Sequence, residues 1–189
     1  MKVYCTLLVL FLLSGCVAGA FVVGAATSVV VMSDRRTLPT ITQDENITYQ
    51  AHQLLLKNKL LSHKTHIVVT SFNQVVLLAG QAPTTKLRAQ AEQVVQAIPK
   101  IRRLYNQITV TKPTSHLVRS QDALITANLK ARFLAAANLR PQQIKIITEN
   151  ATVFLMGLTT HEQAHIAVDL ARHGKGVKQV VKIIEYMKN

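Results

Sequence analysis

The chain has 189 residues, room for one ordinary domain or two small ones, and is 49% apolar and 16% charged. That apolar share excludes a disordered charged tail. Its 22 Lys and Arg against 9 Asp and Glu leave a formal charge of +13, which points to anionic partners: nucleic acid or acidic lipid.

The N-terminus separates these two. No residue from Val3 to Met32 is charged. Lys2, the apolar run Val3–Leu13 and the small residues after it have the pattern of a secretory signal peptide over residues 1–15. It closes with Leu13-Ser14-Gly15-Cys16, which resembles the lipobox of bacterial lipoproteins. That resemblance implies cleavage before Cys16 and acylation of its thiol and amine, palmitate included. A transmembrane helix is the competing reading of these 30 uncharged residues, although glycines and hydroxyl side chains dilute the run. Cys5 would leave with the signal and Cys16 would be lipidated, so no pair remains for a disulfide. Export makes nucleic acid an unsuitable partner and directs the basic surface to lipid head groups or other envelope anions.

Residues 16–45, small and apolar and then polar with Pro39, read as a lipidated N-terminus and tether. The remainder contains a repeat. Ile67-Val68-Val69-Thr70-Ser71, Asn73 and Val75-Val76-Leu77-Leu78-Ala79-Gly80 recur 77 residues on as Ile144-Lys145-Ile146-Ile147-Thr148, Asn150 and Thr152-Val153-Phe154-Leu155-Met156-Gly157. Each is a β-hairpin pattern. A helix is expected before each hairpin, at about Ile47–Leu61 and Gln121–Ala137, and another after it, from Pro83 and from Thr160. A short β-rich run closes each copy, Leu104–Val110 and Val177–Ile184. The fold expected is α+β: two αββαβ units, each a three-stranded sheet with two helices on one face. They would occupy residues 46–111 and 120–189, joined by a linker at 112–119.

The lipobox, Asp34-Arg35-Arg36-Thr37, Val76-Leu77-Leu78-Ala79-Gly80-Gln81 and Val153-Phe154-Leu155-Met156-Gly157-Leu158 together resemble the dual BON-domain lipoproteins of Gram-negative bacteria. The likeness covers nearly the whole chain from Cys16, with its motifs in order. It implies two BON domains with mixed sheets, and an outer-membrane lipid anchor facing the periplasm. It also implies anionic phospholipid binding through the second domain, a role in envelope integrity, no cofactor and no enzymatic activity. Val17 after the cysteine fits outer-membrane sorting by the same resemblance. Two positions depart from the family pattern. A glycine precedes the last strand of each domain in the family, and Gly176 matches it in the second copy, but the first copy has Pro99-Lys100-Ile101. Leu124 stands where the family has an exposed aromatic.

His161-Glu162-Gln163-Ala164-His165 is formally an H-E-x-x-H string, which in zinc hydrolases places two ligands and a general base on one helix. Thr159 and Glu162 have capping-box spacing, which gives the glutamate a backbone role instead. Both histidines project beside Asp169 and Arg172, opposite Ala167 and Ala171, on a solvated face. A separation of 77 pairs them with Thr84 and Arg88 in the first copy, which are not ligands. No metal and no catalytic residue is therefore expected. Gly80 and Gly157 could cradle phosphate, but a glycine in a strand more often marks close packing. Asn46-Ile47-Thr48 and Asn150-Ala151-Thr152 match glycosylation acceptors, a reading without use in a bacterial lipoprotein.

The informative element is the helix expected at Gln121–Ala137. At about 100° per residue, Ile125, Leu129, Phe133 and Ala136 form one apolar stripe. Leu124, Ala127, Ala131 and Leu134 form a second on roughly the opposite side, with Lys130 and Arg132 on the borders. A sheet needs one stripe. The surplus one suits shallow insertion among lipid head groups, with the cations on phosphates. Packing against the first domain or another copy is the competing use. Tyr49, Leu56 and Leu60, bordered by Lys57 and Lys59, form a weaker second stripe on the first domain's helix, expected to face the other domain. The first domain is the more cationic, +7 over residues 46–111 (8 − 1) against +5 over 118–189 (10 − 5), so raw charge does not select the binding domain. The function expected is that of a periplasmic lipoprotein binding an anionic phospholipid surface. The alternative is an adaptor for envelope proteins or cell-wall polymer.

Overall fold

A computed structural model describes residues 34–187. The signal sequence, Cys16 and the first half of the expected tether lie outside the described residues.

Helix α1 spans Leu38–Lys57. The Thr37 hydroxyl accepts from the Thr40 N–H and Pro39 sits in the first turn, a strong helix start. The last eight residues expected as tether, 38–45, are therefore helical, and Asp44 among them is fully buried. Asn58 ends α1 and caps a short α2, Lys59–Lys64. Strands β1 (His66–Phe72) and β2 (Val75–Ala82) form the hairpin, followed by α3 (Thr85–Gln96) and β3 (Arg103–Val110). The second copy repeats this as α4 (His116–Ala135), a 3₁₀ turn at Pro141–Gln143, β4 (Ile144–Glu149), β5 (Thr152–Thr159), α5 (His161–Arg172) and β6 (Gln179–Tyr186). Ser115 caps α4, so that helix starts inside the expected linker. Each sheet is mixed, as expected: the middle strand pairs antiparallel with its hairpin partner and parallel with the last strand.

Both hairpins turn through two residues with positive φ, Asn73 (53°) and Gln74 (61°), Asn150 (49°) and Ala151 (60°). Such turns follow the sheet twist but direct two N–H groups inward. A buried aspartate on the preceding helix takes both: Asp44 from Asn73 and Gln74 (2.7 and 2.7 Å), Asp122 from Asn150 and Ala151 (2.8 and 2.8 Å). Asp44 also accepts from the Ser71 hydroxyl at 2.6 Å and pairs with Arg36 at 2.8 Å.

The repeat is not uniform. Asp44 and Asp122 are 78 apart, the turns 77 and the helix caps Thr84 and Thr160 76. His161 and His165 therefore match Thr85 and Ala89, not Thr84 and Arg88, because single-residue length changes in the loops shift the register. The helix cap shifts too: Thr160, not Thr159, caps the helix and accepts from the Gln163 N–H, while Thr159 is the last residue of β5. Lys100, at φ 68°, occupies the left-handed position held by Gly176 (88°) in the second copy. A side chain there costs about 1 kcal/mol that glycine avoids. Lys100→Gly should raise first-domain stability by about 0.5–1 kcal/mol, measured by urea unfolding.

The packing has three layers of apolar contact. Ile47, Ala51 and Leu55 of α1 meet Val76, Leu78 and Ala82 of β2. Ile125, Leu129 and Phe133 of α4 meet Val153 and Leu155 of β5. The alternate side chains of the same strands close a third core between the two sheets: Phe72, Val75, Leu77 and Ala79 against Phe154, Met156 and Ile183. The order is helices, sheet, sheet, helices. A middle strand buried on both faces reads as a continuous apolar run, as Val75–Ala79 and Val153–Met156 do. The domains thus dock through their sheets, and the stripe expected to face the other domain does not: Tyr49, Leu56 and Leu60 are exposed. Glu185 secures the rim by pairing with Arg102 (2.8 Å) and accepting from Asn73 (2.7 Å). Lys145, half-buried beside the first domain, donates to the Ser71 carbonyl at 3.4 Å. Burial holds its ammonium below the usual 10.5, and the Arg36 guanidinium adds to that.

Candidate functional site

Helix α4 carries the expected site. Its inner face is fixed by Asp122, Ile125, Leu129 and Phe133, all buried. Turning the helix through half a circle exposes Leu124 (65%), Ala127, Ala131 and Leu134 (70%), so the surplus stripe is solvent-facing in the folded chain. The earlier helix start adds Leu117 (69% exposed), seven residues before Leu124 and on the same side. Sequence reasoning missed Leu117 because it placed the helix start five residues too late. The Ser115 cap was the available signal. Lys130 is exposed and Arg132 half-buried at the stripe's edges. The stripe lies on the outer helix layer, facing away from the inter-domain core, so a planar apolar surface can reach it without disturbing the docked sheets. Among the described residues no helix is long and apolar enough to cross a membrane, so contact by α4 would lie in the interface plane.

The other sequence candidates fall elsewhere. His161, Glu162 and His165 are exposed on α5, and among the described residues no three His, Cys, Asp or Glu side chains converge as metal ligands. A Cβ on Gly80 would collide with the His66 carbonyl, and one on Gly157 would lie 2.6 Å from the Gln143 carbonyl. Both glycines therefore let the paired strand approach, a packing role. Asn150 forms the second hairpin turn. Cys16 lies outside the described residues.

Comparison with known proteins agrees with the repeat. The BON domain model matches residues 43–112 and 121–188. The chain is 31% identical over 175 residues to outer membrane lipoprotein DolP of Haemophilus influenzae, covering 93% of this chain and 90% of that one. It is 32% identical over 155 residues to the 21 kDa hemolysin of Actinobacillus pleuropneumoniae, covering 82% and 80%. Among solved structures, CdsD of the Chlamydia trachomatis type III secretion system covers 75% of this chain and 92% of its own, at a TM-score of 0.32 and 6% identity. With both domains matched and the αββαβ unit present twice, the chain belongs to the dual BON-domain family that includes outer membrane lipoprotein DolP.

Proposed function

We propose that this chain is a non-enzymatic lipoprotein anchored in the outer membrane through acyl chains on Cys16, facing the periplasm. It binds anionic phospholipid through α4 and thereby supports envelope integrity. The observation that carries this reading is an exposed apolar stripe on a helix whose opposite face already fills the domain core. The name of the DolP relative supports the location, and the lipobox-like Leu13-Ser14-Gly15-Cys16 supports the anchor. A covalent anchor raises the local concentration of α4 at the bilayer, so a weak, lipid-selective second contact suffices.

Flotation of residues 34–189, which contain both domain cores, with phosphatidylglycerol-containing and with purely zwitterionic vesicles tests the lipid reading. Binding is expected only to the former and should fall with salt. Lys130→Glu and Arg132→Glu should each weaken it, with loss of one cation near an acidic surface costing about 1 kcal/mol, roughly fivefold. Binding to neither vesicle type would oppose the proposal and favour an adaptor, and equal binding to both would remove its selectivity for anionic lipid. Cys16→Ala is expected to abolish incorporation of labelled palmitate and to leave the signal sequence uncleaved, because both steps need the Cys16 thiol. A wild-type chain in the membrane fraction that takes up no palmitate and keeps residues 1–15 would replace the lipid anchor with a transmembrane one.

A further inference from the structure

A second polar site lies on the far edge of the second domain. Helix α5 and the outer strand β6 bound a groove of about 400 Å³ lined by His161, His165, Asp169, Arg172, Lys182 and Tyr186 among others. That volume is in the range of small-ligand sites, roughly 300–1,000 Å³. One wall is ordered: the His161 ring stacks on Tyr186 with centroids 3.7 Å apart and planes 7° from parallel. The Lys182 ammonium sits 5.4 Å from the Tyr186 ring centre.

The groove is net cationic, with Arg172 and Lys182 set against one carboxylate, Asp169. Among the described residues neither Arg172 nor Lys182 has an ion-pair partner. Three acids of the domain are engaged elsewhere, Asp122 by its hairpin, Glu149 by His66 and Glu185 by Arg102, while Asp169 lines the groove itself, its carboxylate 3.4 Å from the His173 ring. Glu162 is exposed and does not line the groove. A guanidinium fork, an ammonium, a phenol and two imidazoles outnumber the single Asp169 carboxylate around one cavity, and they match a tetrahedral oxyanion with several acceptor oxygens. We infer that the groove between α5 and β6 is a binding site for a phosphoryl group, carried either by a free phosphomonoester or by the phosphodiester of a glycerophospholipid head group. The site is independent of the α4 stripe.

The full chain in a maltoside detergent, titrated by NMR with sn-glycerol 3-phosphate and, separately, with glycerophosphoglycerol, tests this, with sodium chloride at matched ionic strength as control. Saturable shifts of the His161 and His165 ring signals are expected. Arg172→Ala combined with Lys182→Ala should weaken binding on the order of tenfold with an unchanged melting curve. Leu124→Asp should bind the phosphate compounds as wild type does, which separates this site from the α4 reading. Binding of the monoester alone would identify a free phosphate as the source, and binding of the diester a head group. Shifts that do not saturate, that chloride reproduces, or that survive the double substitution would overturn the inference.

Discussion

Asp44→Ala should destabilise the first domain by about 3–5 kcal/mol, read as a lower urea midpoint with its slope unchanged. The carboxylate is fully buried and accepts from two turn N–H groups and the Ser71 hydroxyl while pairing with Arg36. Alanine strips these donors of the acceptor they share. Each unsatisfied buried donor costs about 1–3 kcal/mol, and the positive-φ turn loses the contacts that hold it. Asp122→Ala removes only the two turn acceptors and should cost less, about 2–4 kcal/mol. Equal, small losses at both positions would show that the hairpins hold their turns without the helices.

Phe133→Asp should unfold the second domain, whereas Leu124→Asp and Leu134→Asp should leave its melting temperature nearly unchanged. Phe133 is 1% exposed in the helix–sheet core, so an aspartate there loses the apolar burial and adds an unpartnered charge. Truncating a core phenylalanine alone costs about 3–5 kcal/mol, and the buried charge adds several more. Leu124 and Leu134 lose nothing comparable, since most of each side chain already meets solvent. Circular dichroism melts of the three variants check the contrast.

The two αββαβ copies are legible in the sequence because hairpins, closing strands and helix stripes follow fixed periods. The α4 stripe is legible for the same reason: two apolar faces on one helix are visible in spacing alone. The docking of the domains is not, although Val75–Ala79 and Val153–Met156 carry the signal. A continuous apolar strand says that both faces are covered without naming the cover. The stripe of Tyr49, Leu56 and Leu60 looks like the better candidate only while the second sheet face lacks a partner. Asp44 escapes notice for a different reason. An acid next to Glu45 in a polar stretch looks solvated, and only the fold brings it to Asn73, 29 residues further along the chain. The offset drifting from 78 to 76 likewise hides in loops, where insertions leave no periodic trace.

The claim that an exposed apolar stripe on α4 binds acidic membrane is tested most directly by floating Leu124→Asp with phosphatidylglycerol vesicles beside its melting curve. The expected result is a variant that melts like wild type and stays at the bottom of the gradient. A folded variant that floats as well as wild type, or one whose second domain has melted, would contradict it.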